Sequence, residues 1–246
     1  MTKQVVLATR NAHKVGEVQR IISILTDEID VLDLSDFPDC PEVVEDGATF
    51  AANALKKARV IATHTGLPAL ADDSGICVDA LNGMPGIFSA RWSGRHGDDA
   101  ANLALVLGQL FDVPDRRRGA AFRCAAAIAL PDGTERVVEG SIEGNIIREA
   151  RGTNGFGYDP VFRPQGPFGD RTMAELDDAD EERDEDGKAG HREVVEDLAD
   201  RARERPAVGL RHERPVGGVH EAHARREDDG QRDDRQEGDV VRRDPC

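Results

Sequence analysis

The sequence predicts an α/β fold with a mixed β-sheet and flanking helices. Three observations carry this. Short apolar runs of strand character alternate with stretches whose apolar residues recur at helical spacing, the pattern of a sheet covered by helices. A Pro-Asp-Gly turn at residues 131–133 joins two long strand-like runs, an antiparallel hairpin that excludes an all-parallel sheet. Every Phe, Tyr, Trp and Ile lies at or before Phe168, so the core-forming part of the chain ends well before the C-terminus.

The elements follow in order. Gln4 to Ala8 is a buried strand. Lys14 to Leu25 carries Val15, Val18, Ile21, Ile22 and Leu25 at helical spacing. Asp30 to Leu34 is a second strand, followed by a Pro-rich loop from Phe37 to Glu42. Thr49 to Thr63 is an alanine-rich helix, capped by Asp46 or Thr49, whose side-chain oxygens can accept a first-turn N–H. Ala69 to Asp72 and Ile76 to Asp79 read as two short strands flanking an acid pair, and Asn82 to Gly97 as a loop rich in Gly, Ser and Arg. Asp98 to Phe111 places Leu103, Val106, Leu107 and Leu110 on one side of a helix. Ala120 to Leu130 and Arg136 to Ile147 are the arms of the hairpin.

Composition divides the chain into a domain over residues 1–176 and a charged tail over 177–246. The tail has 70 residues without one aromatic, and 13 Asp, 10 Glu, 13 Arg and 1 Lys. Two leucines and seven valines cannot offset the ordering entropy of such a segment. The expectation is a disordered tail with a short helix around Glu193 to Ala202; an acidic interaction arm is the functional alternative. The tail histidines are too scattered for a metal site.

With 246 residues, 39% of them hydrophobic, the chain can bury a substantial core. The net charge of -16 excludes a nucleic-acid or anionic-membrane surface, because phosphate backbones need a basic footprint. A single nucleotide remains compatible, neutralised locally by a lysine and a metal. No apolar run approaches the roughly 20 residues of a membrane span, and the N-terminus enters a strand directly, without the apolar stretch of a signal peptide. Cys40, Cys77, Cys124 and Cys246 show no Cys-x-x-Cys spacing. Reduced, buried thiols in a cytoplasmic protein are expected.

Three runs carry chemistry. Thr9-Arg10-Asn11-Ala12-His13-Lys14 follows a strand and opens a helix, where orphan N–H groups and the helix dipole favour an anion; Thr9 and Asn11 add donors and Lys14 a full charge. It lacks the glycines of a Walker A loop, and alone it is also a polar turn capping a surface helix. Asp72 and Asp73, adjacent on a strand, point to opposite faces, so one of them faces a site while the other caps or pairs. A carboxylate there can hold Mg²⁺ beside substrate phosphates or position a water, and Asp-Ser-Gly is equally a turn sequence. Glu45, ahead of the Thr49 helix, could supply a second metal carboxylate. In Gly155-Phe156-Gly157-Tyr158-Asp159-Pro160 two glycines bracket an aromatic ring that can stack on a base, with Tyr158 and Asp159 as polar handles; a tight turn with core-filling rings is the plain alternative.

Together with Glu45 to Phe50 (Glu-x-Gly-x-Thr-Phe, counted from Glu45 through Asp46 and Gly47) and Pro-Gly-Ile-Phe-Ser-Ala-Arg-Trp-Ser-Gly at residues 85–94, these runs occur in an order that resembles the inosine triphosphate pyrophosphatase, or Ham1-like, family over about Val5 to Leu176. The resemblance implies an elongated α/β structure with two lobes around a central cleft, a homodimer, and Mg²⁺-dependent hydrolysis of ITP, dITP and XTP to the monophosphate and pyrophosphate. It implies that residues 9–14 bind the triphosphate, that Asp73 is both catalytic and a metal ligand, that Glu45 helps hold the metal, that Ser74 touches substrate, and that Phe156, Gly157, Tyr158 and Asp159 line the nucleoside pocket. A nucleotide-binding protein with impaired catalysis and a Maf-like pyrophosphatase of other nucleotides are the competing readings.

The sequence departs from this pattern after Ala174-Glu175-Leu176. The family continues with a lysine and a Ser-His-Arg-Gly-Lys-Ala run that helps bind base and phosphates. Here Gly187-Lys188-Ala189 follows acids, and Gly190-His191-Arg192 comes several residues late. The tail has the composition of a GC-rich gene read out of frame, so we expect a disturbed reading frame between Asp177 and Arg192. Inspection of the coding sequence checks this: a single-base insertion or deletion should restore Ser-His-Arg and a short C-terminus.

Overall fold

The computed structural model describes residues 3–9, 12–25 and 28–177. The expectations for the tail beyond Asp177 lie outside the described residues. The sequence forms β1 (Lys3–Leu7), α1 (Ala12–Leu25), β2 (Ile29–Leu32), α2 (Phe50–Thr65), β3 (Ala69–Val78), β4 (Met84–Pro85), α3 (Asp99–Gln109), β5 (Gly119–Ala129), β6 (Glu135–Ile146) and β7 (Phe162–Pro164). One mixed sheet runs β2-β1-β3-β5-β6-β7, with β4 paired to β3. β1 is parallel to both β2 and β3, as the intervening helices require, and β3, β5, β6 and β7 are successively antiparallel. The expected hairpin is present over its whole length, from Gly119 opposite Asn145 to Ala129 opposite Glu135.

α2 is capped by Thr49, whose hydroxyl accepts the Ala52 N–H at 3.1 Å; Asp46, the other candidate, instead takes Lys56 at 2.5 Å. Its small side chains explain its closeness to the sheet. Ala54, Ala58, Ile61 and Ala62 meet Ala69, Ala71, Ala125, Ala127 and Ala129, alanine against alanine. On the other face Val5, Leu7, Val15, Ile22, Leu70, Ala126 and Ile128 pack together. A third cluster gathers Ile76, Val78, Val106, Leu110, Ile146, Tyr158, Val161 and Phe162 at the far end of the long strands. β3 therefore enters one apolar region, crosses a polar step at Asp72, Asp73 and Ser74, and enters another.

That crossing corrects the sequence reading. The two short strands expected on either side of the acid pair are one strand, because β5 pairs with it at every position from Ala69 opposite Ala129 to Val78 opposite Ala120. A partner that long supplies ladder bonds to Asp73, Ser74 and Gly75 and overrides their turn propensity. The Asn82 to Gly97 stretch, read as a loop, contains β4 and a 3₁₀ segment over Gly86–Arg91. Ser89 locks that segment onto β3: its hydroxyl accepts the Ile76 N–H at 2.9 Å and donates to the Gly86 carbonyl at 2.6 Å. Arg118, almost fully buried, donates to the carbonyls of Ile146, Leu110 and Ile147 and so ties the end of α3 to the end of β6.

The 3₁₀ segment sits so close to the sheet that a Cβ at Gly75 would lie 2.4 Å from Ser89 Oγ and 2.6 Å from the Gly86 carbonyl oxygen. Gly75→Ala is therefore expected to destabilise the fold by ~1–3 kcal/mol, the cost of overpacking, measured as a fall in the denaturant midpoint.

Candidate active site

β1 ends beside β3, with the Ala8 N–H on the Leu70 carbonyl at 2.7 Å. Thr9 thus leaves the sheet next to the acid pair, and α1 starts at Ala12, two residues earlier than its periodicity suggested, so His13 and Lys14 fall in its first turn. This is the carboxyl end of the parallel strands, where open α/β sheets bind ligands. Arg10 and Asn11 lie outside the described residues, as do the side chains of Ala12, His13 and Lys14.

Strand alternation separates the two acids, and the structure assigns them. Asp73 is on the α2 side: Asn53 Nδ2 donates to its Oδ2 at 2.9 Å, and the Ser74 N–H to its Oδ1 at 3.1 Å. Asp72 and Ser74 alternate to the other face. Asn53 has no exposed surface, and its Oδ1 accepts the Gly47 N–H at 2.7 Å. One turn further along α2, Lys57 Nζ reaches Glu45 Oε1 at 2.6 Å. Arg91, from the 3₁₀ segment, donates to the Glu45 carbonyl at 3.3 Å and stacks over Phe88 at 5.2 Å from the ring centroid. Glu45 and Asp73, 28 positions apart in the chain, are thus brought to the same face of α2 through Lys57 and Asn53.

Burial pushes the Asp73 carboxyl above the ordinary carboxylate value; the Asn53 hydrogen bond and the Lys57 charge pull it down, and the Glu45 and Asp72 charges push it up. On the α2 face the Lys57 ammonium thus serves two carboxylates, Glu45 and Asp73, an arrangement that favours a further cation. Among the described residues no three metal-ligating side chains converge into a closed cage. An open pair of hard oxygen ligands is what Mg²⁺ uses when substrate phosphates complete its shell.

The Gly155 to Asp159 run has a divided role. The Tyr158 hydroxyl is buried and donates to the Ser89 carbonyl at 2.9 Å, and burial raises its pKa. The Asp159 carboxylate accepts the Phe156 N–H at 2.8 Å, and Asp99, at the start of α3, accepts the Gly157 N–H at 3.0 Å. These bonds shape the loop and leave the Phe156 ring 69% exposed. The chain leaves the described domain beside this loop: Thr153 and Asn154 N–H groups donate to the Ala174 carbonyl, and Asn154 Nδ2 to the Leu176 carbonyl at 2.7 Å.

Sequence reasoning missed Asn53, Lys57, Ser89, Arg91 and Asp99. Asn53 and Lys57 carried a readable signal, an amide and an ammonium at i and i+4 on one stripe of an alanine-rich helix. The others depend on contacts across 46 to 69 positions and leave no local mark.

The sequence profile of the Ham1 family matches residues 5–193. The chain belongs to the Ham1 family. The match runs past Leu176 and includes Lys188, His191 and Arg192, which lie outside the described residues. Over 173 residues the chain is 58% identical to the dITP/XTP pyrophosphatase of Streptomyces avermitilis, covering 70% of this chain and 86% of that one. It is 55% identical over 174 residues to the dITP/XTP pyrophosphatase of Mycobacteroides abscessus, covering 70% and 84%. Among solved structures it is similar to the nucleoside-triphosphatase / dITP/XTP pyrophosphatase from Mycobacterium abscessus, at TM-score 0.66 and 52% identity over 79% of this chain and 97% of that one. A HAM1 protein from Coxiella burnetii matches at TM-score 0.69 and 39% identity, over 83% and 100%. The mixed α/β fold expected from the family resemblance is the fold observed.

The raised Asp73 value has a consequence for stability. A group that holds its proton more tightly when folded favours the folded state fully below its unfolded pKa and loses that contribution as pH rises through the folded value. Above the ordinary aspartate range the raised pKa of Asp73 makes its ionisation a net cost to the folded state. Asp73→Asn should therefore raise the thermal midpoint near pH 7, by ~2–4 °C per kcal/mol recovered, and the gain should vanish as pH falls below about 4, the ordinary aspartate range. Thermal unfolding of both proteins across pH measures it.

Proposed function

We propose that this protein hydrolyses non-standard purine nucleoside triphosphates, ITP, dITP and XTP, to the monophosphate and pyrophosphate, and so cleanses the nucleotide pool. The observation that carries this is the Asp73 carboxylate, partly buried, aimed by Asn53, and set within one cluster with Lys57 and Glu45. Family membership and relatives bearing the name dITP/XTP pyrophosphatase support the same reading. We take the enzyme to be a cytoplasmic homodimer, as the resemblance implies; no helix among the described residues is long and apolar enough to cross a membrane.

In this reading the α1 start and Lys14 hold the triphosphate, and Lys57 offsets its charge at the acid cluster. Asp73 orients a water in line with the α-phosphorus and accepts its proton. Pyrophosphate leaves from the opposite side. Phosphoryl chemistry of this kind depends on positioning and charge stabilisation more than on covalent help. A carboxylate whose pKa is raised by burial is a stronger base than an exposed one. Asp73 and Glu45 would hold Mg²⁺, which when bound supplies charge neutralisation for the phosphates.

Base recognition separates into stacking and edge reading. The exposed Phe156 ring offers the stacking face. The N–H groups of Phe156, Gly157 and Asp159 are already spent on Asp159, Asp99 and Phe156 itself. By the resemblance, further groups that bind base and phosphates come from the run that follows Leu176, which this chain carries in altered form, with Lys188, His191 and Arg192 as the nearest stand-ins. A donor matched to a 6-oxo group is left unpaired against the amino group of ATP, which is how such a site rejects it.

Pyrophosphate release with ITP, XTP, dITP, ATP, GTP and dTTP tests the proposal on the full chain. ITP, dITP and XTP should lead ATP, whose 6-amino group is mismatched to such a donor, by about tenfold or more. Nucleotide binding without pyrophosphate release would identify a binding protein instead, and preference for dTTP a Maf-like enzyme. Phe156→Ala should raise KM for ITP by about tenfold, within the ~1–3 kcal/mol that a base–aromatic stack contributes, with a smaller effect on kcat.

A further inference from the structure

The best-defined polar contact in the site belongs to a residue that touches no reacting atom. Asn53 is fully enclosed, and its amide bonds in two directions, to Gly47 N–H at 2.7 Å and to Asp73 Oδ2 at 2.9 Å. The pair of bonds fixes the amide's orientation, because only Oδ1 can accept and only Nδ2 can donate. One helix residue thereby grips two segments at the carboxylate itself: the middle of β3 and the extended stretch bearing Glu45. Gly47 completes the grip. A Cβ there would lie 2.6 Å from Asn53 Oδ1 and 3.0 Å from the Ala52 Cβ.

We infer that Asn53 is the positioning residue of this site: it aims the Asp73 carboxylate and locks the Glu45–Gly47 stretch in register with it. The inference rests on the reading of Asp73 as the group that takes the proton. Ser74 cannot share the role. Its N–H holds the other Asp73 oxygen, but it belongs to the same strand and sets nothing relative to α2 or Glu45. Lys57 reaches Glu45 through a flexible stem and is 17% exposed, so it supplies charge to the stretch more than geometry. Asn53 alone joins both acids' segments through a short, enclosed, neutral side chain. A purely structural amide would behave differently: its loss would loosen α2 and lower the folded fraction, while each folded molecule turned over at the normal rate.

The test compares Asn53→Ala, Asn53→Asp and Gly47→Ala with Asp73→Asn on the full chain, using ITP, pyrophosphate release and circular dichroism to count folded protein. Asn53→Asp keeps an acceptor for Gly47 but has no N–H for Asp73. Gly47→Ala displaces the amide without removing it. Each of the three should lower kcat per folded molecule by about 30-fold or more, with KM changed by less than about threefold, because a misplaced catalytic group costs rate and not ground-state binding. If Asp73→Asn keeps its rate, the reading of Asp73 falls. If Asp73→Asn is inactive while folded Asn53→Ala or Asn53→Asp turns over within about threefold of the parent, the inference on Asn53 is overturned. Should neither Asn53 variant fold, Gly47→Ala carries the same decision by the same threshold.

Discussion

A carboxylate set in the middle of a ten-residue strand is the constraint around which the rest of this protein is arranged. β3 is apolar at both ends and belongs to two different cores, so Asp73 is partly buried where a surface acid would be fully hydrated. A partly buried carboxylate must find donors or give up its charge. Beside the Ser74 N–H of its own strand, Asp73 draws on one helix, Asn53 directly and Lys57 through its charge, and that helix lies close because alanine lines both sides of the contact. The alanine richness of α2, β3 and β5 is therefore a condition of the site as well as of the core.

The same constraint explains the long pairing of β3 with β5. Were Asp73 at a strand end, as its turn-forming neighbours suggest, its side chain would swing with the loop. Pairing with β5 through Asp72, Asp73 and Ser74 fixes the backbone on both sides of the carboxylate and commits its two neighbours to the opposite face. Rigid elements hold reacting groups more closely than loops do.

Much of this was legible in the sequence, and the pattern of what was not is physical. Periodicity gave α1, α2, α3 and the hairpin to within about two residues, because each is long and has one buried face. Thr9 to Lys14, Asp73 and Phe156 stood out because their chemistry is local to a short run. β3 was broken in two because Asp-Asp-Ser-Gly favours a turn, and only the register of a strand 50 positions later overrides it. Asn53 was passed over although its i, i+4 spacing with Lys57 was readable, because its Gly47 and Asp73 partners lie on other segments. The 3₁₀ segment at Gly86–Arg91 was read as a loop because Gly, Ser and Arg predict no regular element, yet Ser89 and Arg91 carry some of the longest-range bonds of the structure.

That segment decides how the two ends of the site relate. Ser89 holds β3 through the Ile76 N–H and, with its own carbonyl, holds the hydroxyl of Tyr158. Arg91 holds the backbone of Glu45. The Gly155–Asp159 loop, the acid-bearing strand and the Glu45 stretch thus meet on six consecutive residues. Three of these contacts are buried or partly buried hydrogen bonds, each of which costs more to break than it contributes to stability when intact. Under the proposed function, a base on Phe156 and a phosphate near Asp73 would be referred to the same segment, so the distance from base to acid would be set by the protein and not by the substrate. A nucleotide whose base seats badly on the loop would then present its α-phosphorus out of line with Asp73, and selectivity would be expressed in the rate of the chemical step as well as in affinity.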